Sequence, residues 1–175
     1  MNNKLKIVLI GDEKSGKTTF LKRFLTGDFE KEHKRTMGVE IHPLLVKTNI
    51  GETVLNVWDT GSGDFKGLGE GYWNGATGFL VFFDINDKKG FENSLKHLEE
   101  LKSHFEEKMP HVVLCANKVD IQGANSNIEE TLLSKLTKGE HYHDFYLISG
   151  KSNYNFEKPF LSVIRNAFGE HVNFL

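Results

Sequence analysis

Cysteine and proline are both scarce in this chain of 175 residues, which contains one Cys and three Pro. Cys115 has no second cysteine with which to form an internal disulfide. No Pro-rich or Ser-rich stretch divides the sequence, so we expect a single domain over residues 1–175. No run reaches the ~18 consecutive apolar residues of a membrane helix, and no C-terminal Cys is available for prenylation. We therefore expect an intracellular protein without a membrane anchor.

The chain also lacks an excess of charge of one sign. Its 22 Lys and Arg residues stand against 24 Asp and Glu residues, which gives a formal net charge of -2. General nucleic-acid binding depends on a basic field around the protein, and this composition does not supply one. We therefore expect no nucleic-acid partner.

Apolar runs alternate along the chain with amphipathic stretches. The runs predict strands at 5–10, 54–58, 79–83, 112–116 and 145–148, and the stretches predict helices at 18–26, 91–106, 128–136 and 157–168. Residues 37–49 alternate imperfectly and, with a turn at 50–52, predict a hairpin with 53–58. The alternation predicts an α/β fold of three layers: a mostly parallel six-stranded sheet, one antiparallel edge strand, and helices on both faces.

A phosphate-binding motif follows the first predicted strand. Residues 11–18 read GDEKSGKT, which satisfies G-x-x-x-x-G-K-[ST] and opens the first predicted helix. In such a loop the backbone N–H groups surround phosphates, Lys17 adds a cation, and the Thr18 hydroxyl can bind Mg²⁺. The alternative is a plain glycine turn between strand and helix, which would require neither the lysine nor the hydroxyl.

Polar residues also follow three later strands. Asp59 lies at the end of the 54–58 strand, where a carboxylate can hold Mg²⁺ through water, and Thr36 can supply a further ligand. Residues 117–120 read NKVD, and the Asp120 carboxylate can accept two hydrogen bonds from guanine that adenine cannot donate. Residues 149–151 read SGK, and the Gly150 N–H can donate to the guanine O6. Taken singly, each of these short segments is also compatible with a polar turn.

These motifs together resemble the Ras-like small GTPases, which have the phosphate-loop NTPase fold, and within them the Ran family of GTP-binding nuclear proteins. The segments that carry the resemblance are TGDFEK at 26–31, GVEIHPL at 38–44, NVWDT at 56–60 and KSNYNFEKPF at 151–160. The resemblance implies that Thr36 contacts Mg²⁺ and the γ-phosphate, that Phe29 lies against the base, and that Lys118 and Lys151 flank it. The residues expected to bind GTP or GDP are Glu13, Lys14, Ser15, Gly16, Lys17, Thr18, Thr19, Phe29, Thr36, Asn117, Lys118, Asp120, Ser149, Gly150 and Lys151, with Thr18, Thr36 and Asp59 also around Mg²⁺.

Two segments depart from the family pattern. The family's switch II reads DTAGQE, whereas residues 59–64 read DTGSGD, so that Gly61, Ser62 and Gly63 occupy the region of the glutamine that orients water. The segment is also one residue short, and either Ser62 or Gly63 takes the glutamine position. Glu13 stands where Ran proteins have a small residue, and it either repels the phosphates or projects into solvent. We expect slow intrinsic GTP hydrolysis and assign no catalytic residue.

The resemblance implies partners and a cellular location. The partners are importin-like and exportin-like transport receptors, an exchange factor and a GTPase-activating protein, and the location is the nucleus and cytoplasm. We expect a monomer. The acidic C-terminal tail of Ran proteins is missing from residues 1–175, so its movement between nucleotide states is not expected here. Two hypotheses remain: a Ran-like nucleotide switch, and a hydrolysis-deficient G domain acting as a fixed binding module. Equal receptor affinity with GDP and GTP would favour the second.

Overall fold

The computed structural model describes residues 3–29, 36–61, 69–121 and 141–175. Three sequence predictions fall outside these ranges: the helix at 128–136 and the switch II positions Ser62 and Gly63. The described strands and helices are β1 (Asn3–Gly11), α1 (Lys17–Thr26), β2 (Val39–Thr48), β3 (Gly51–Thr60), α2 (Gly69–Trp73), β4 (Gly78–Asp84), α3 (Lys88–Phe105), a short 3₁₀ helix (Glu106–Lys108), β5 (His111–Asn117), β6 (Asp144–Leu147) and α4 (Lys158–Phe168).

The strands form a six-stranded sheet in the order β2-β3-β1-β4-β5-β6. β2 pairs antiparallel with β3, from Val39 opposite Thr60 to Thr48 opposite Gly51, and the other neighbouring pairs are parallel. The predicted α/β fold, with one antiparallel edge strand, is therefore confirmed.

Helices cover both faces of the sheet. Successive side chains of β1 point to opposite faces, so they pack in two different core clusters. Ile7 and Leu9 pack in one core cluster with residues of α1 and α4, including Phe20 and Phe160. Val8 packs in a second cluster that contains residues of α3. β4 and β5 are buried along nearly their whole length and β1 is buried from Ile7 to Gly11, which is why these stretches are mainly apolar.

Helix α3 begins three residues before the predicted start at 91. Asp87 precedes the helix, and its side chain accepts a hydrogen bond from the Lys89 N–H at 3.0 Å. A carboxylate at this position satisfies a backbone donor that has no partner inside the helix. The cap therefore fixes the helix start, while the apolar periodicity used for the prediction begins only at Phe91.

Segment 172–175 pairs with the β2–β3 hairpin. The Asn49 N–H donates to the Asn173 carbonyl at 3.0 Å, and the Leu175 N–H donates to the Lys47 carbonyl at 3.0 Å. The Asn173 N–H in turn donates to the Asn49 side-chain carbonyl at 2.8 Å. Val172, next to these residues, is fully buried. Segment 172–175 is thereby attached to the hairpin turn.

The parallel arrangement brings several chain segments to one edge of the sheet. β1, β3, β4 and β5 run in the same direction, so the residues at their carboxyl ends are neighbours: Gly11, Asp59, Asp84 and Asn117. Ligands of open α/β sheets bind at this edge. In the part of the chain that the structure describes, no helix has both the length and the apolar composition needed to cross a bilayer.

Candidate functional site

The loop between β1 and α1 has a conformation that depends on glycine. Gly16 has φ +94°, and a Cβ on Gly16 would lie 2.2 Å from Asn117 Nδ2. A Cβ on Gly11 would lie 2.4 Å from the Phe82 carbonyl oxygen. Lys14 also has a positive φ, of 64°. The loop therefore folds tightly over the ends of β4 and β5, and the two glycines allow this close approach.

Lys17 at the start of α1 is buried, with 6% of its surface exposed. Its ammonium donates to the Gly11 carbonyl at 2.6 Å and to the Asp12 carbonyl at 2.9 Å. Burial lowers the pKa of Lys17 to about 8. Nearby carboxylates oppose this shift, and Asp59 has the largest effect among them. An anion bound beside this ammonium would stabilise its charged form, at a helix N-terminus that also favours negative charge.

Three predicted metal-binding residues meet beside Lys17. The Thr18 hydroxyl donates to Asp59 Oδ2 at 2.6 Å and lies 2.8 Å from the Thr36 hydroxyl oxygen. Asp59 is fully buried, and its Oδ1 has no hydrogen-bond partner among the described residues. Burial raises the pKa of Asp59, while the Thr18 hydroxyl and Lys17 oppose that shift. A buried, unpartnered carboxylate oxygen next to two hydroxyls fits a hard divalent cation such as Mg²⁺.

Residues 36–38 lie directly against the end of β3. The Gly61 N–H donates to the Gly38 carbonyl at 2.8 Å. A Cβ on Gly61 would lie 2.3 Å from the Thr36 carbonyl oxygen, a distance that real Cβ atoms do not reach. Glycine at position 61 therefore permits the contact that brings the Thr36 hydroxyl to Thr18.

The loops that follow β5 and β6 contact both the phosphate loop and each other. The Asn117 amide donates to the Ser15 carbonyl at 3.0 Å, and the Lys118 ammonium donates to the Lys14 carbonyl at 2.6 Å. In the loop after β6, the Ser149 hydroxyl donates to Asp120 Oδ1 at 2.7 Å. Three separate loops thus form one connected edge, in which side chains of the loops after β5 and β6 contact each other and the backbone carbonyls of the phosphate loop.

The sequence of this chain was compared with models of known protein families, and the result agrees with the geometry of the site. The model of the Ras family matches residues 6–168, which is most of the chain. The chain belongs to the Ras family. The match supports the G-domain fold and does not by itself distinguish the Ran branch from other branches of the Ras family.

The remaining predicted residues of this Ras-family chain vary in exposure. Glu13, Lys14 and Lys151 are exposed, and Lys151 Nζ lies 3.9 Å from Asp120 Oδ2. Gly150, in the loop after β6, is buried. Thr19, in α1, and Phe29, after it, are half-buried. Their expected nucleotide contacts remain predictions.

Sequence reasoning missed two polar contributions to the same edge of the Ras-family fold. Asp84 Oδ2 lies 2.9 Å from the Lys118 ammonium. Asp84 directly follows the apolar run 79–83, so the rule that selected Asp59 and Asn117 would also have selected it. Asn93 in α3 donates to Asp12 Oδ2 at 2.6 Å, and no local pattern in the sequence indicates this contact.

Replacing Gly61 with alanine in this Ras-family chain is expected to displace residues 36–38. The added Cβ cannot remain 2.3 Å from the Thr36 carbonyl oxygen, so the hydrogen bond from the residue 61 N–H to Gly38 is lost. One such bond contributes ~1 kcal/mol, and we expect amide exchange at position 61 to accelerate about fivefold or more by NMR. Gly71→Ala is the control, because a Cβ there meets nothing within 4 Å. Unchanged exchange in Gly61→Ala would contradict the contact.

Proposed function

We propose that this Ras-family chain is a guanine-nucleotide switch that binds GTP and GDP together with Mg²⁺. The observation that carries the proposal is the cluster of Thr18, Thr36 and Asp59 beside the buried Lys17 ammonium. Here hydroxyl and carboxylate oxygens suited to Mg²⁺ adjoin a cation suited to phosphate. A plain structural turn has no need for a buried ammonium next to an unpartnered carboxylate oxygen.

The phosphates would lie against the backbone N–H groups of the phosphate loop and the Lys17 ammonium. Mg²⁺ would be held by the hydroxyls of Thr18 and Thr36, with Asp59 nearby, and would neutralise phosphate charge. Because Thr36 belongs to a segment that contacts Gly61, nucleotide bound here would influence the conformation of residues 36–38. That dependence is the physical basis of a switch.

Guanine selectivity is assigned to Asp120. One oxygen of its carboxylate accepts from the Ser149 hydroxyl at 2.7 Å, and its side chain is 16% exposed. A carboxylate held in this way can accept from the N1–H and 2-amino groups of guanine, whereas adenine would leave it unsatisfied. The Gly150 N–H would contribute a donor to O6.

We propose that intrinsic hydrolysis is slow, because Gln122 is the single glutamine in the chain and lies far from the 59–64 segment in sequence. A GTPase-activating protein would then supply the missing group that orients the attacking water, and an exchange factor would replace bound GDP with GTP. The finer proposal, from the resemblance, is a Ran-type switch in the nucleus and cytoplasm that binds importin-like and exportin-like receptors. A fixed binding module is the competing proposal, and the lack of glutamine in the 59–64 segment fits both.

The first test is to identify the nucleotide that the protein carries. Protein purified without added nucleotide is denatured, and the released compounds are separated by chromatography. We expect guanine nucleotide near one equivalent, mostly GTP, and markedly less from Asp120→Ala, which leaves the phosphate loop unchanged. Absence of guanine nucleotide would contradict the proposed binding, and mostly GDP would contradict slow hydrolysis. Equal receptor affinity of the GDP and GTP forms would favour the fixed module.

A further inference from the structure

The phosphate loop of this chain contains two neighbouring carboxylates, Asp12 and Glu13. The Asp12 carboxylate is held by α3 through both of its oxygens. Asn93 Nδ2 donates to Asp12 Oδ2 at 2.6 Å, and His97 Nε2 lies 3.0 Å from Asp12 Oδ1. Asn93 and His97 are one helical turn apart, so their side chains point to the same side of α3.

His97 also lies near a second carboxylate, on α3 itself. Its Nδ1 lies 3.8 Å from Glu100 Oε2, one turn further along α3. Because a carboxylate can only accept a hydrogen bond, His97 is assigned the form with a proton on Nε2, and this N–H donates to Asp12. Hydrogen bonds to a charged group are stronger than those between neutral groups. The two donors therefore hold Asp12 firmly against the helix.

The position of Asp12 makes this contact relevant to phosphate binding. The Asp12 backbone carbonyl accepts a hydrogen bond from the Lys17 ammonium at 2.9 Å, and the charge of the Asp12 carboxylate raises the pKa of Lys17. A carboxylate free to rotate at this position would have an attractive partner in that ammonium. It would then form an ion pair with the Lys17 ammonium in place of the phosphate, and its negative charge would also repel the phosphate.

We propose that Asn93 and His97 are positioning residues that hold the Asp12 carboxylate against α3 and so keep Lys17 available to phosphate. This inference rests on the proposed nucleotide binding and adds to it a role for α3. In this proposal the two residues act through Asp12.

The proposal predicts faster nucleotide release when the two donors are removed. In Asn93→Leu/His97→Leu, fluorescent GDP and GTP analogues should both dissociate about tenfold faster, the effect expected from losing charge-assisted hydrogen bonds at one site. Both nucleotides should respond alike, because both have the phosphates that contact the loop. His97→Gln, which retains a donor, should lie near wild type, and Lys96→Leu, an exposed neighbour on α3, is the control.

A double-mutant cycle separates positioning from simple support of the fold. Asp12→Asn removes the competing charge, so adding it to Asn93→Leu/His97→Leu should restore dissociation to within about twofold of Asp12→Asn alone. Unchanged rates in Asn93→Leu/His97→Leu would overturn the proposal, as would failure of Asp12→Asn to restore them. If the double variant does not fold, His97→Leu and His97→Gln provide the same comparison, and equal rates would overturn the proposal. Failure of the wild-type chain to bind either analogue would instead refute the proposed function itself.

Discussion

Lys17→Met is expected to weaken GDP binding about 100-fold while leaving the ligand-free fold nearly as stable as before. The Lys17 ammonium is buried, and burial lowers its pKa to about 8, so its charge costs the unliganded protein free energy. Methionine removes that cost but leaves the Gly11 and Asp12 carbonyls without this donor, so we expect the two effects to offset and the free energy of unfolding to change by no more than about 1 kcal/mol. Loss of charge-assisted hydrogen bonds to phosphate, ~3 kcal/mol in total, accounts for the weaker binding.

Titration with a fluorescent GDP analogue and urea unfolding of ligand-free protein measure the two quantities separately. Lys47→Met is the matched control, because Lys47 is exposed on β2 and distant in sequence from the phosphate loop. We expect that variant to bind GDP as wild type does. If Lys17→Met lost stability in proportion to affinity, the lysine would be a structural residue, and the assignment of its charge to phosphate binding would be wrong.

Gly16→Ala is expected to destabilise the protein by about 3 kcal/mol, well beyond the effect of most single substitutions. Two costs combine at this position. A positive φ of 94° strains any residue with a Cβ, and that Cβ would also lie 2.2 Å from Asn117 Nδ2. The clash displaces the Asn117 amide from the Ser15 carbonyl, to which it donates at 3.0 Å. Nucleotide binding should fall as well, because the loop itself is distorted.

Gly27 provides a control for the strain without the clash. It ends α1 with φ +77°, and a Cβ there meets nothing within 4 Å. Gly27→Ala should therefore cost only about 1 kcal/mol. The measurement is the urea midpoint of unfolding for both variants, with the slope compared to verify that the same surface is exposed. Equal destabilisation by the two substitutions would contradict the argument from the Asn117 contact.

Much of the sheet follows from the sequence, because buried parallel strands require continuous apolar runs. The runs at 79–83 and 112–116 each differ from the observed strand by one residue at either end. β2 was harder to predict, since one of its faces is exposed: Leu44 and Val46 are buried, whereas Ile41 and Leu45 are not. Exposed apolar side chains weaken the alternation that marks a half-buried strand.

The site was predictable as a set of residues but not as a geometry. Motif spacing selected Thr18 and Asp59, while their 2.6 Å hydrogen bond depends on the parallel pairing of β1 with β3. The contacts of Asp12 with α3 connect residues 81 and 85 positions apart. Local patterns contain no information about such pairs, because tertiary packing alone brings them together. The clash at Gly61 was likewise hidden, since glycine in a loop has many possible explanations.

The pairing of segment 172–175 with the hairpin has a consequence for synthesis of the protein on the ribosome. Asn173 and Asn49 are 124 positions apart, and the chain is made from the N-terminus. The β2–β3 turn therefore leaves the ribosome long before the residues that cover it. Until segment 172–175 emerges, the Asn49 N–H and the Lys47 carbonyl lack these partners, and an edge strand in that state can pair with another nascent chain. Once residues 172–175 have emerged, they can pair with the edge strand, which then no longer offers these groups to another chain.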